Sequence, residues 1–97
     1  MDNLTKREQW ASVFAALGSE PRLRILELLA TGAVQCQDIL RHVDLSQPAI
    51  SYHLAKLERA GVLRKQRVGT RNCYQLREGM GELMQSVLKE DGSWNTP

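Results

Sequence analysis

Residues 44–76 read DLSQPAISYHLAKLERAGVLRKQRVGTRNCYQL, and the fold turns on this stretch. Ser46-Gln47-Pro48 has the form of a helix start: a hydroxyl that can accept from a free backbone N–H, then a proline in the first turn, where a missing N–H does no harm. Gly61, one residue after Ala60, is a natural stop. Between them, at ~100° per residue, Ile50, Leu54 and Leu57 fall on a narrow arc that must face a core. The opposite arc holds Pro48, Tyr52, Ala55, Lys56 and Arg59, with Ser51 and His53 on its flanks. Beyond Gly61, VLRKQRV and RNCYQLR read as two strands around Gly69-Thr70, with Val62, Val68, Tyr74 and Leu76 as packing residues.

Working outward, residues 35–42 form a short third helix, followed by the connector Val43-Asp44-Leu45. Ser19-Glu20-Pro21 repeats the serine and proline start and opens a helix over about 20–30, apolar at Leu23, Ile25, Leu26, Leu28 and Leu29, with Gly32 as its stop. Leu4, Trp10, Val13, Phe14 and Leu17 mark an amphipathic first helix ended by Gly18. Met80, Leu83, Met84, Val87 and Leu88 mark a closing helix. The expected fold is mainly α with a small β-hairpin, in the order helix-helix-helix-helix-strand-strand-helix, which is that of a winged helix-turn-helix. A chain of 97 residues has room for one domain, placed over 1–92, with 93–97 and its isolated Trp94 as a flexible tail.

The net charge is only +2, but it is unevenly distributed. Residues 1–45 sum to −1 and residues 72–97 to −2, whereas 46–71 carry Lys56, Arg59, Arg64, Lys65, Arg67 and Arg71 against the lone Glu58, a net of +5. Such a focus suits a polyanion, because each phosphate neutralised releases condensed counterions. An ordinary solvated face is the plain alternative. No run approaches the ~18 apolar residues of a membrane span and the N-terminus has no signal-peptide core, so a cytoplasmic protein with no membrane partner is expected. Cys36 and Cys73 are too few for a disulfide framework, and reduced thiols are the default.

On these grounds Gln47, Ser51, Tyr52 and His53, near the start of the fourth helix, are candidates to read base edges of duplex DNA in the major groove. Ser46 is a cap that can also touch phosphate, Pro48 lies on the same face, and Lys56 and Arg59 are better placed for phosphates. Arg64, Lys65, Arg67 and Arg71 would lie over the neighbouring backbone or reach a minor groove. The end helices present Trp10, Val13 and Phe14, and Leu83, Met84 and Val87, which read as intersubunit packing because so short a chain can hardly bury them alone.

LGSEPRLRILELLATG followed by the stretch quoted above resembles the ArsR/SmtB family of winged-helix repressors over roughly residues 12–77. The shared features are Leu-Gly-x-x-x-Arg, Ser-Gln-Pro-x-x-Ser-x-His-Leu and a basic hairpin, in that order. The resemblance implies a homodimer, built from the first and last helices, that represses an operon by binding operator DNA and is released by a ligand. The chain departs from the metal and arsenical sensors of that family. Its third helix carries Cys36 between two glutamines rather than Cys-x-Cys, and its last helix has no histidine. No metal site and no cofactor are expected, since a closed thiolate site needs three or four soft ligands. Pooled thiols of two subunits holding a metalloid, a thiol switch joining Cys36 and Cys73, an organic effector and no effector at all remain open. The rival from another class is a winged-helix protein-interaction module without DNA binding. An enzyme is not expected, because there is no Gly-rich phosphate loop and no nucleophile paired with a base, and His42 and His53 lack identifiable partners.

Overall fold

A computed structural model describes residues 4–32 and 34–88, and the expected tail at 93–97 lies outside them. The element order is α1 (Lys6–Leu17), α2 (Glu20–Leu29), β1 (Val34–Gln35), α3 (Cys36–His42), α4 (Gln47–Arg59), β2 (Leu63–Val68), β3 (Arg71–Leu76) and α5 (Met80–Leu88).

Local chemistry explains the helix ends. Ser46 Oγ accepts from the Ala49 N–H at 3.3 Å and Ser19 Oγ from the Arg22 N–H at 3.4 Å, so both serine and proline starts are caps. Thr5 and Glu8 form a reciprocal capping box on α1, at 3.1 and 2.9 Å, a start the hydrophobic pattern alone does not mark. The end of α4 is a Schellman motif: the Gly61 N–H donates to Glu58 O and the Val62 N–H to Leu57 O, each at 3.0 Å. Gly61 takes φ +82°, open to glycine and strained for other residues. Val62 and Leu57 are both fully buried, the apolar contact that accompanies such an ending.

The hairpin is present, but the sheet has three strands in the order β1-β3-β2, all antiparallel. Residues 34–35, of which Gln35 falls in the expected third helix, instead pair with β3 as Val34 opposite Tyr74 and Gln35 opposite Cys73. A two-residue strand has no periodicity of its own and exists only because β3 offers it an edge. The β2–β3 turn is Gly69-Thr70 between the paired Val68 and Arg71. Gly69 has φ +64° and Thr70 does not have positive φ, the combination of a type II′ turn.

The core gathers around α2, whose Ile25, Leu26 and Leu29 meet Ile39, Ile50, Leu54, Leu57, Tyr74 and Met80, and no described polar or charged residue is buried. Val68, expected to pack, is 56% exposed. It sits at the hairpin tip, beyond the reach of the core that Leu63 and Tyr74 enter at the root. Two residues expected at a subunit interface are corrected as well: Val13 and Met84 are each only 2% exposed, packed within the chain's own core. Trp10, Phe14 and Val87 remain on the surface, and Leu83 is half-buried.

Candidate nucleic-acid interface

The α3–turn–α4 unit presents the outer face of α4 to solvent. Ile50, Leu54 and Leu57 turn inward, which leaves Gln47, Pro48, Ser51, Tyr52, Lys56 and Arg59 exposed on one continuous surface. The Lys56 ammonium lies 5.6 Å from the centre of the Tyr52 ring, one turn apart on the helix, so the two side chains shape each other's position.

The hairpin divides its basic groups between two faces, which only the register reveals. Leu63, Lys65 and Arg67 lie opposite Leu76, Tyr74 and Asn72, so the face that is core at its root becomes basic toward its tip. Arg64 and Val68 lie opposite Gln75 and Arg71 on the other face. Arg64 donates to Gln75 Oε1 at 3.3 Å and Arg67 to Asn72 Oδ1 at 3.4 Å, cross-strand bonds that hold these guanidinium groups along the hairpin. Arg64, Lys65, Arg67 and Arg71 are all exposed.

His53 is placed differently from the other candidates. It is half-buried and turned toward α2, its Nδ1 3.1 Å from Arg22 Nη1. Arginine can only donate, so Nδ1 accepts and the ring proton sits on Nε2. Arg22 Nε also donates to Ala16 O at 2.6 Å. That bond satisfies a carbonyl in the last turn of α1, where a cation is favoured by the helix dipole. One guanidinium therefore ties α1, α2 and α4 together. Sequence reasoning missed this role, although Arg22 is the arginine of Leu-Gly-x-x-x-Arg. His42 has a partner too, its Nδ1 lying 2.8 Å from Asp38 O. The expectation that both histidines lack partners is corrected accordingly.

Burial, and secondarily the Arg22 charge, hold the His53 pKa below its ordinary value of 6.5. Between that value and the lower folded one the unfolded chain binds more protons than the folded chain, so stability falls as pH drops below about 6.5. His53→Asn, which retains an acceptor but cannot titrate, should flatten melting curves between pH 7.5 and 5. An equally steep decline in the variant would remove His53 as the cause. Glu8 is also held below its ordinary 4.5, first by the Thr5 backbone N–H and then by the Thr5 hydroxyl. Its contribution is lost only at lower pH, below that value, which separates the two windows.

Cys73 is a free, half-buried thiol on β3, and the Cys36 side chain lies outside the described set. Because Gln35 pairs with Cys73, the backbone of Cys36 lies one residue beyond the Cys73 partner. Among the described residues no group of three or more His, Cys, Asp or Glu could hold a metal ion.

The family described as bacterial regulatory protein, arsR family, matches residues 19–65, the span from the cap of α2 to the first residues of the hairpin. An uncharacterized HTH-type transcriptional regulator of Methanocaldococcus jannaschii is 39% identical over 72 residues, covering 73% of this chain and 81% of that protein. The transcriptional repressor SdpR of Bacillus subtilis is 34% identical over 86% of this chain and 84% of its own length. In three dimensions, the homodimeric winged helix-turn-helix DNA-binding domain of a possible ArsR-family regulator from Mycobacterium bovis superposes with a TM-score of 0.77 at 30% identity, over 90% of this chain and 86% of that one. The capped α4, its exposed polar face and the basic hairpin coincide with a sequence match on both sides of the helix-turn-helix, and the chain belongs to the arsR family of bacterial regulatory proteins.

Proposed function

We propose that this protein is a transcriptional repressor that binds duplex operator DNA as a homodimer and is released by an effector. The observation that carries the reading is the exposed polar face of α4 from Gln47 to Arg59, followed by an exposed basic hairpin, in a stretch, residues 46–71, with a net charge of +5. A protein-interaction module without DNA binding would be expected to have that face neutralised instead. Gln47, Ser51 and Tyr52 enter the major groove, Lys56 and Arg59 meet phosphates, and the hairpin lies over the adjacent backbone. His53 acts at one remove, through Arg22. The work is occlusion of a promoter in the cytoplasm and includes no catalytic step; among the described residues no helix is long and apolar enough to cross a membrane.

The second copy would cover Trp10, Phe14 and Val87. Phe14 and Val87 are 59% and 58% exposed, and the Trp10 and Phe14 rings meet at a tilt of 38° with centroids 5.8 Å apart. Exposed aromatics grouped in this way mark an association surface. Phe14→Glu should shift the protein from dimer to monomer in sedimentation analysis and weaken operator binding. A variant that remains dimeric would place the interface elsewhere.

The primary test is fluorescence anisotropy on duplex DNA from upstream of the gene, reduced and mildly oxidised, at two salt concentrations. Tight, salt-sensitive and sequence-preferring binding supports the reading, and no binding in either state favours the interaction module. Loss on oxidation, restored by reductant, would make Cys36 and Cys73 the sensor. Gln47→Ala should reduce the preference for operator over random DNA by about 1–3 kcal/mol while leaving random-DNA affinity unchanged. Equal loss on both DNAs would contradict a base-reading role.

A further inference from the structure

A small cleft lies between α1 and the C-terminal half of α4. Ala16 and Ala60 leave it open, and Ser12, Arg22, Lys56 and Arg59 line it, around about 230 Å³. The lining contains no carboxylate, and both ion pairs among the described residues, Arg24 with Glu20 and Arg41 with Asp38, lie elsewhere. Arg22 is fixed before any ligand arrives: Ala16 O and His53 Nδ1 engage Nε and Nη1, and the rest of its five donors stay available. A guanidinium held in this way loses little rotamer freedom on binding.

The last turns of α1 and α4 both border the cleft, and each helix C-terminus contributes roughly half a negative charge. Together they offset about one of the three cations, leaving a field of about +2. The volume corresponds to about eight waters at ~30 Å³ each, below the ~300–1,000 Å³ of pockets for organic ligands. Charge and size both select a compact oxyanion, and the Ser12 hydroxyl adds a hydrogen-bond donor.

We propose that this cleft is a binding site for a phosphate-class oxyanion, either free in solution or carried by the DNA backbone. Only the second source rests on the operator reading given above. Two measurements on the full chain separate the sources. In the first, without DNA, sodium phosphate is compared with sodium chloride at equal ionic strength in thermal melts. Phosphate should raise Tm saturably, by about 3 °C or more. Arg59→Ala, and Ser12→Asp, which puts a carboxylate into the cleft, should abolish that rise, whereas Gln9→Glu, on the same helix but outside the cleft, should keep it. In the second, the salt dependence of binding to random duplex DNA is measured, where one lost phosphate contact makes the log–log slope shallower by about 0.9. A saturable rise with no slope change in Ser12→Asp assigns the cleft to a free anion, and a slope change in Ser12→Asp but not in Gln9→Glu assigns it to backbone phosphate. The proposal is overturned if phosphate acts equally on all variants, or on none, and Ser12→Asp matches Gln9→Glu on DNA.

Discussion

Replacing Leu57 by alanine should lower Tm by about 10 °C or more. Leu57 is fully buried on the inner face of α4, and that helix packs against α1, α2, α3 and β2. Truncating a leucine at such a site removes its transfer free energy and leaves a cavity, together worth about 2–5 kcal/mol. The whole stability of a chain this size is about 5–15 kcal/mol, and each kcal/mol moves Tm by about 4–8 °C. Leu57 also provides the carbonyl that accepts from Val62, and its side chain is half of the apolar contact closing the Schellman motif. The loss therefore loosens the junction between α4 and the hairpin, and operator affinity should fall with stability. Tyr52→Ala, on the exposed side of the same helix, is the matched comparison and should shift stability by no more than about 0.5 kcal/mol. Similar melting curves for the two variants would mean that α4 does not close the core as described.

The second large effect is expected on DNA rather than on folding. Converting Arg64, Lys65 and Arg67 together to alanine removes three exposed cations and only two weak cross-strand bonds, at 3.3 and 3.4 Å. The melting curve should barely move. If each cation neutralises one phosphate, the slope of log affinity against log salt becomes shallower by about 2.7. Between 50 and 200 mM salt the parent should then lose about 40-fold more affinity than the triple variant, on operator and random DNA alike. Because Lys65 and Arg67 lie on the opposite hairpin face from Arg64, a slope change of about 1 or 2 would report which face meets the duplex. An unchanged slope would remove the hairpin from the interface.

Much of this protein follows from local rules. Ser19 and Ser46 cap helices because a hydroxyl ahead of a helical run has an unpaired N–H within reach, and the apolar arc of Ile50, Leu54 and Leu57 had to face inward. Gly69-Thr70 between two strand-like runs specifies its turn, and the concentration of charge after residue 46 is legible before any coordinate. These features depend on residues within a few positions of one another. What the tertiary structure decided depends on partners distant in sequence. Val34 and Gln35 become a strand only because β3 lies alongside, and Val68 stays in water because the hairpin tip projects past the core. Val13 and Met84 have the same apolar character as Phe14 and Val87, yet the first two are packed within the chain and the other two exposed, because helix rotation against α2 and α4 is set by the whole core. His53 and Arg22 are 31 residues apart, and only their meeting turns a candidate base reader toward the fold and holds a guanidinium beside Lys56 and Arg59. Short-range hydrogen-bonding rules and periodicity thus specify the elements and the charged face, whereas long-range packing decides which side chains remain available to a partner.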